Sequence, residues 1–383
     1  MPLPHRARPS LRGGQLVLAL GALALAAAAA AAPGPGVAYV SNQSGDVSVI
    51  DLATLEPTGT VDPGGKEPRG IGVTADGKLL VVANREGGAV AVIDRASGKL
   101  LRHIPIGQNP EFVRTRGHLA FVSYEPGSAG KPPAAAGSAP ASAAEAPAAS
   151  GPEAGGEKGK GGKGGDDDEP ATPAHVAVVD LDKGKVLLSI RGGRETEGIE
   201  FTPDGRNVIV ANEADNNLTM HSIATGKVVR TVDLKSYGLR PRGIKRAPDG
   251  RHYVATLEFS NLAVVLDANL KVVDTIKTAE APYGLAFDRS GAKLYVAAAR
   301  GKVLQVFDAR TWAPEKDIPI GNRCWHFSFT PDDRNILVAC GRSNEIIVID
   351  AKTQEAVKHI PDAQLPWGIV TYPKAPGSLD AVE

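Results

Sequence analysis

Along most of the chain, apolar residues alternate with polar ones in short runs such as "KLLVVAN", "AVAVID" and "KLLRHIPI", rich in Val and Ile. Alternation puts successive side chains on opposite faces of a pleated strand, where β-branched residues pack well. Between runs stand "ADGK", "PDGR", "PDGR", "RSGA" and "PDDR". Gly, and Asp less readily, takes the left-handed conformation that ends a tight hairpin, so these are predicted turns.

The runs repeat. One register is a strand end, at Asn42, Asn84, Tyr124, Asn212, Thr256, Ala298 and Cys340, with spacings of 42, 40, 88, 44, 42 and 42. A second lies about 14 residues earlier in each unit, at Gly70, Phe112, Gly198, Gly243, Gly284, His326 and Gly368, spaced by 42, 86, 45, 41, 42 and 42. Both registers share one period and one long gap. Four strands in ~40–45 residues make a propeller blade. The chain enters partway through a unit: "VAYVSN" (residues 37–42) lacks an inner strand, and "LPWGIVTYP" (residues 365–373) supplies one at the far end. The termini are therefore expected to share a blade, which closes the ring and hides its edges. The predicted fold is all-β, a single seven-bladed β-propeller over residues 33–383.

Asp51, Asp94, Asp180, Asp267, Asp308 and Asp350 close the third strand of their units, with Ser222 in the fourth. They are expected to accept bonds from turn N–H groups, not to form a metal array. The long gap is an insertion within the third unit, residues 126–173, rich in Ala, Gly and Pro with a basic run "KGKGGK" and an acidic run "DDDE". Such a stretch cannot bury a core, so disorder is expected, either as a solvated loop or as a partner-recruiting segment.

His5, Arg6, Arg8 and Arg12 precede an Ala-rich apolar run at residues 16–32. This reads as a signal peptide over residues 1–32, with a retained anchor as the alternative. A periplasmic monomer with no stable membrane span is the expectation. Acidic and basic residues number 43 each, which argues against a nucleic-acid binder. Two cysteines leave no disulfide framework.

Candidate chemistry sits where the inner strands begin. The residues before the Gly-like register are Arg69, Glu111, Glu197, Arg242, Tyr283, Trp325 and Trp367. One half of this ring is charged and the other aromatic. It suits a small amphipathic ligand, the rings stacking a flat body while guanidinium groups hold carboxylates. Alternatively, the charges neutralise each other across blades and the Trp side chains fill the channel. Gly prevails in the next register because inner strands crowd there; Phe112 and His326 are the exceptions and would plug or line the channel. His326 could ligate iron or act as acid/base, or simply pack. His221, where other units have Ile, is expected to be buried in its blade.

Cys324 and Cys340 face each other if "PDD" is a three-residue loop, giving a candidate disulfide. A four-residue loop shifts the register and puts them on opposite faces.

"YVSNQSGDVSVIDLATLEPTGTV", "PRGIGVTADGKLLVVAN" and "NEIIVIDAKTQEAVKHI" resemble the YVTN-type β-propeller repeats of exported bacterial and archaeal proteins. "CWHFSFTPDDRNILVACGRSNEIIVID" with "PWGIVTYP" is most similar to seven-repeat relatives of the propeller that holds d1-type haem in periplasmic nitrite reductase. Some of those relatives accompany quinone-cofactor (PQQ) alcohol oxidation. The resemblance implies an exported, noncatalytic scaffold that binds a ligand or a periplasmic protein at the channel mouth, accessory to a redox or quinoprotein system. No cofactor is required, although noncovalent haem binding is compatible; the absence of CxxCH excludes covalent c-type haem. A d1-type enzyme needs further distal histidines, and none of the others falls in the inner register. The competing class is an enzyme, haem-dependent or a lactonase with Glu111, Glu197 and His326 as ligands or base.

Overall fold

The structure is a computed structural model that describes residue 1, residues 36–126 and residues 172–379. The expected signal peptide, Met1 apart, and all but the edges of the insertion lie outside the described residues. The described chain forms seven four-stranded antiparallel sheets, the blades of a propeller. Six are built from consecutive strands, and in the seventh the C-terminal strand Pro366–Tyr372 pairs with Val37–Asn42. One blade thus contains both ends, as the sequence requires.

In the third blade the strands are Val113–Arg116, Leu119–Tyr124, His175–Asp180 and Lys185–Arg191. The insertion therefore joins its second and third strands. The strand-closing aspartates behave as turn formers: Asp51 accepts from the Ala53 and Thr54 N–H groups, and Asp308 from those of Arg310 and Thr311. Asp94, Asp180, Asp267 and Asp350 do the same in their turns. His221 is fully buried in its blade.

Each blade packs its apolar faces against its neighbours. Ala38, Val40 and Ile50 of the shared blade meet Leu337, Ala339 and Val348 of the preceding one. The inner strands stand side by side around the centre, and there the reason for glycine is visible. Gly70 N donates to Glu111 O at 2.7 Å across a blade boundary. A Cβ on Gly243 would lie 2.5 Å from Tyr283 O, and similar collisions await Gly198 at Arg242 O and Gly284 at Trp325 O. Backbone approaches backbone, leaving no space for a methyl group.

Two expectations need correction. The strand end in the fifth unit is Leu257, not Thr256, because Pro241 pairs with Leu257 as Pro68 pairs with Asn84. Spacings of 45 and 41 around it then match the glycine register. The second concerns the hairpin that carries Cys324 and Cys340. Thr330 N donates to Asn335 O, and Phe329 faces Ile336, so the loop has four residues rather than three. Cys324 nevertheless faces Cys340, because the register shifts between Cys324 and His326. A β-bulge at Trp325 restores the pairing that the loop displaced. The two cysteines are joined in a disulfide.

Candidate functional site: the channel mouth

The bulge is not peculiar to that hairpin. Register shifts occur at the same place in the inner strands Pro68–Val73, Thr196–Phe201, Pro241–Arg246 and Pro282–Phe287. It falls on the dipeptides Arg69-Gly70, Glu197-Gly198, Arg242-Gly243 and Tyr283-Gly284, and on Trp325-His326. An extra residue in one strand kinks it and re-aims its side chain. Here it turns the first residue of each pair toward the end of the channel where the inner strands begin, the mouth. Arg69, Glu111, Glu197, Arg242, Tyr283, Trp325 and Trp367 all line one cavity of about 620 Å³ there.

Two further rings were not recognised in the sequence. The residue before the inner strand is left-handed in six blades, at Glu67, Glu195, Arg240, Ala281, Arg323 and Leu365, with φ between 51° and 61°; in the third blade Asn109, four residues ahead of Val113, is left-handed as well. In those six blades the carbonyl of that residue accepts from the residue just past the neighbouring strand end. Glu213 N donates to Glu195 O at 2.8 Å, Glu258 N to Arg240 O at 2.9 Å and Gln43 N to Leu365 O at 3.0 Å. That bond carries Gln43, Arg85, Glu213 and Glu258 into the mouth, where they line its cavity or the adjoining 250 Å³ lobe. The available signal was the position after the strand end, read with Leu257 in place.

Most charge at the mouth is spent internally. Arg69 pairs with Glu111 and donates to Gln43 Oε1 at 3.1 Å. Arg242 stands in a cage of carboxylates: Nη1 is 2.5 Å from Glu197 Oε1 and also pairs with Glu213, while Nε donates to Glu258 Oε2 at 2.6 Å. Arg240 bridges Glu213 and Glu195. Burial works against the charge of Arg242, but Tyr283, Glu197 and Glu258 outweigh it and raise its pKa. Tyr283, which donates to Glu197 Oε2 at 3.3 Å, is also raised, first by burial and then by that carboxylate.

The aromatic side divides by depth. Trp367 is 1% exposed and Tyr283 5%, whereas Trp325 keeps a face partly open. Trp325 lies over Gly341, where any Cβ would collide with the indole. Its neighbours on the open side include Arg323, Arg342, Asn344 and Leu365.

His326 does not line this cavity. It is 6% exposed, ringed by Phe112, Tyr283 and Trp367 with centroids at 6.2, 5.4 and 4.5 Å. Burial first, then the positive charges of Lys245, Arg69 and Arg242, push it down to about 3, so it is neutral. Its Nε2 is buried with no hydrogen-bond partner. Phe112 and His326, the two departures from glycine, together form a floor beneath the mouth. Among the described residues, no three His, Cys, Asp or Glu side chains are grouped to hold a metal ion, and no helix is long and apolar enough to cross a membrane.

Two family models match parts of the chain: a YNCE-like beta-propeller over residues 16–120 and a seven-bladed lactonase beta-propeller over residues 176–271. No curated protein matches significantly. Among solved structures, a functionally unknown protein from Desulfotomaculum acetoxidans superposes with a TM-score of 0.67 at 14% identity, over 88% of this chain and 98% of that one. The dihydro-heme d1 dehydrogenase NirN gives 0.60 at 18% identity, over 88% and 75%. The periplasmic gluconolactonase PpgL of Pseudomonas aeruginosa gives 0.63 at 16% identity, over 88% and 98%. At these identities the likeness is one of fold, which hosts unrelated activities. The chain is a seven-bladed β-propeller repeat protein, similar to YNCE-like and lactonase propellers and to the propeller of NirN.

Proposed function

We propose that this protein is an exported scaffold that binds a small amphipathic ligand or a periplasmic partner at the channel mouth without transforming it, as an accessory to a redox or quinoprotein system. The observation that carries this reading is the state of the mouth's ionisable groups. Glu197, Glu213 and Glu258 are all engaged by Arg242, directly or through a shared cage, and Glu111 by Arg69. A general base must keep a lone pair within reach of substrate, and these carboxylates turn theirs toward guanidinium groups. Trp325 offers a face for a flat body, and Arg323 stands beside it in the same cavity. The basic, apolar N-terminal segment and the periplasmic relative support export.

Two enzymatic readings have their own support. The lactonase model covers the segment that contains Glu197, Glu213, Arg242 and Glu258. Fold likeness to NirN and the unpartnered Nε2 of His326 favour haem, although the Phe112–His326 floor separates that nitrogen from the mouth. The test uses protein purified from its native compartment. Expected are no Soret band, gluconolactone hydrolysis no faster than the spontaneous rate, and a bound small molecule or protein lost in Trp325→Ala. Hydrolysis that falls in Glu197→Gln would replace the scaffold with the lactonase, and a Soret band lost in His326→Ala would replace it with the haem protein.

A further inference from the structure

At the mouth each blade contributes two residues, one from its inner strand and one just past the end of its second strand. In four blades both are charged: Arg69 with Arg85, Glu111 with Glu125, Glu197 with Glu213 and Arg242 with Glu258. In the other three an aromatic ring goes with a neutral residue: Tyr283 with Ala299, Trp325 with Gly341 and Trp367 with Gln43.

The pair Trp325–Gly341 shows what this exchange does. Glu258–Ser260 and Gly341–Ser343 are equivalent 3-10 turns, and their first N–H groups donate to Arg240 O and Arg323 O, each at 2.9 Å. Glu258 Oε2 accepts from Arg242 Nε at 2.6 Å. Gly341 has no side chain to send, and the Trp325 indole lies where its Cβ would be. A 3-10 turn admits any residue, so the indole and not the backbone requires glycine there. The Trp325 ring then forms a wall of the 620 Å³ cavity.

The groups left to hydrogen-bond beside that wall are neutral donors. Asn344 and Gln43 line the same cavity. Asn344 Oδ1 accepts from Leu365 N, and Gln43 Oε1 from Arg69 Nε, each at 3.1 Å. A backbone N–H and a guanidinium only donate, which identifies the two oxygens and leaves each amide NH2 as the remaining group. Among the described residues no group accepts from Asn344 Nδ2 or Gln43 Nε2. The charges nearby are taken: Arg69 pairs with Glu111, Arg323 with Glu258 and Arg242 with three carboxylates, and Arg342 is engaged as well.

We propose that Gly341 sets the specificity of the mouth: by admitting the Trp325 indole it forms a slot for an uncharged planar ring, which stacks on the indole and turns carbonyl oxygens to the amides of Gln43 and Asn344. This rests on the reading of the mouth as a ligand site. Such a ring supplies the acceptors that the two amides lack, and it brings no charge among groups that are already paired.

The test is equilibrium dialysis of the full chain against three flat tricycles: lumichrome, which carries carbonyl oxygens, phenazine, which has none, and phenazine-1-carboxylate. Lumichrome should bind at one site, and phenazine more weakly. Gly341→Glu, which gives this turn the side chain of Glu258, should weaken lumichrome binding about tenfold or more. Gln43→Glu/Asn344→Asp keeps the volume and the bonded oxygens but turns both donors into acceptors. It should abolish the preference for lumichrome over phenazine, and it serves if thermal unfolding shows that Gly341→Glu does not fold. Failure of lumichrome to bind overturns the proposal, as do tighter binding of phenazine-1-carboxylate and an unchanged affinity in Gly341→Glu. A native molecule that is lost in Trp325→Ala but not displaced by lumichrome keeps the mouth as a ligand site and overturns the slot. Gly341-dependent lumichrome binding in a protein that hydrolyses gluconolactone keeps the slot and removes the scaffold reading.

Discussion

The rings of His326 and Trp367 meet edge to face at 4.5 Å between centroids and 67° between planes, in the middle of the channel. A neutral imidazole suits that contact, and a charged one does not suit a buried place without a counter-ion. The pKa of about 3 lies below the ~6.5 of an unfolded histidine. Between these values the unfolded chain binds the proton and the native one does not. Stability from His326 is therefore full above pH ~6.5 and falls as pH drops toward 3. His326→Phe should flatten the urea-unfolding midpoint over that window. Equal slopes in wild type and variant would contradict the assignment. Asp76, lowered to about 2 chiefly by the Thr74 hydroxyl, acts in a separate, more acid window below its unfolded value.

Gly243 tests the crowding argument. Its Cβ would meet Tyr283 O at 2.5 Å, a backbone atom that cannot turn aside. Gly243→Ala should cost about 1–3 kcal/mol, the usual range for overpacking, seen as a lower melting temperature. The blade boundary must open to admit the methyl group, so the mouth should suffer as well. An unchanged melting temperature would mean that the inner strands have more slack than their spacing indicates.

How much of this was legible follows from what each residue does. Gly70, Gly198, Gly243, Gly284 and Gly368 announce the blades because backbone crowding admits no substitute, and period alone then gives the fold. The ring residues before them were legible for the same reason, since they share the register. Glu213 and Glu258 were not, because nothing in a strand end tells which way the next side chain turns. That direction comes from a left-handed residue in the neighbouring connection, Glu195 or Arg240, and left-handed φ at a non-glycine residue leaves little trace in sequence. Thr256 reads as the strand end because "YVAT" imitates "YVSN", whereas the pairing of Pro241 with Leu257 shows that the motif sits one residue early in this strand.

Arg242 holds the mouth together electrostatically. Its side chain is 14% exposed, and its partners Glu197, Glu213 and Glu258 are 6%, 2% and 3% exposed. Removing one partner of a buried ion pair costs about 3–5 kcal/mol because the others remain charged and uncompensated. Arg242→Met should lower stability by that order in chemical denaturation. Adding Glu213→Gln should recover part of it, a coupling that a double-mutant cycle measures. Additive losses would show that Arg242 stabilises by packing rather than by charge.

The disulfide depends on the bulge at Trp325, which makes it a probe of strand register. Cys324 and Cys340 are separated by 16 residues, and closing a loop of that size stabilises by about 3 kcal/mol in the chain-entropy account. Both cysteines are fully buried, so reduction should be slow in the native state and require local opening. Mass spectrometry of unreduced, alkylated protein should show no free thiol. Cys324→Ala/Cys340→Ala should melt lower, and reductant should not lower it further. Deleting Asp333 shortens the four-residue loop by one while the inner-strand bulge remains. The deletion should flip Phe327 and Phe329 relative to their partners, so the protein should either fail to form the bond or lose the bulge to keep it. A deletion variant that retains both the disulfide and full stability would show that the bulge does not set the pairing.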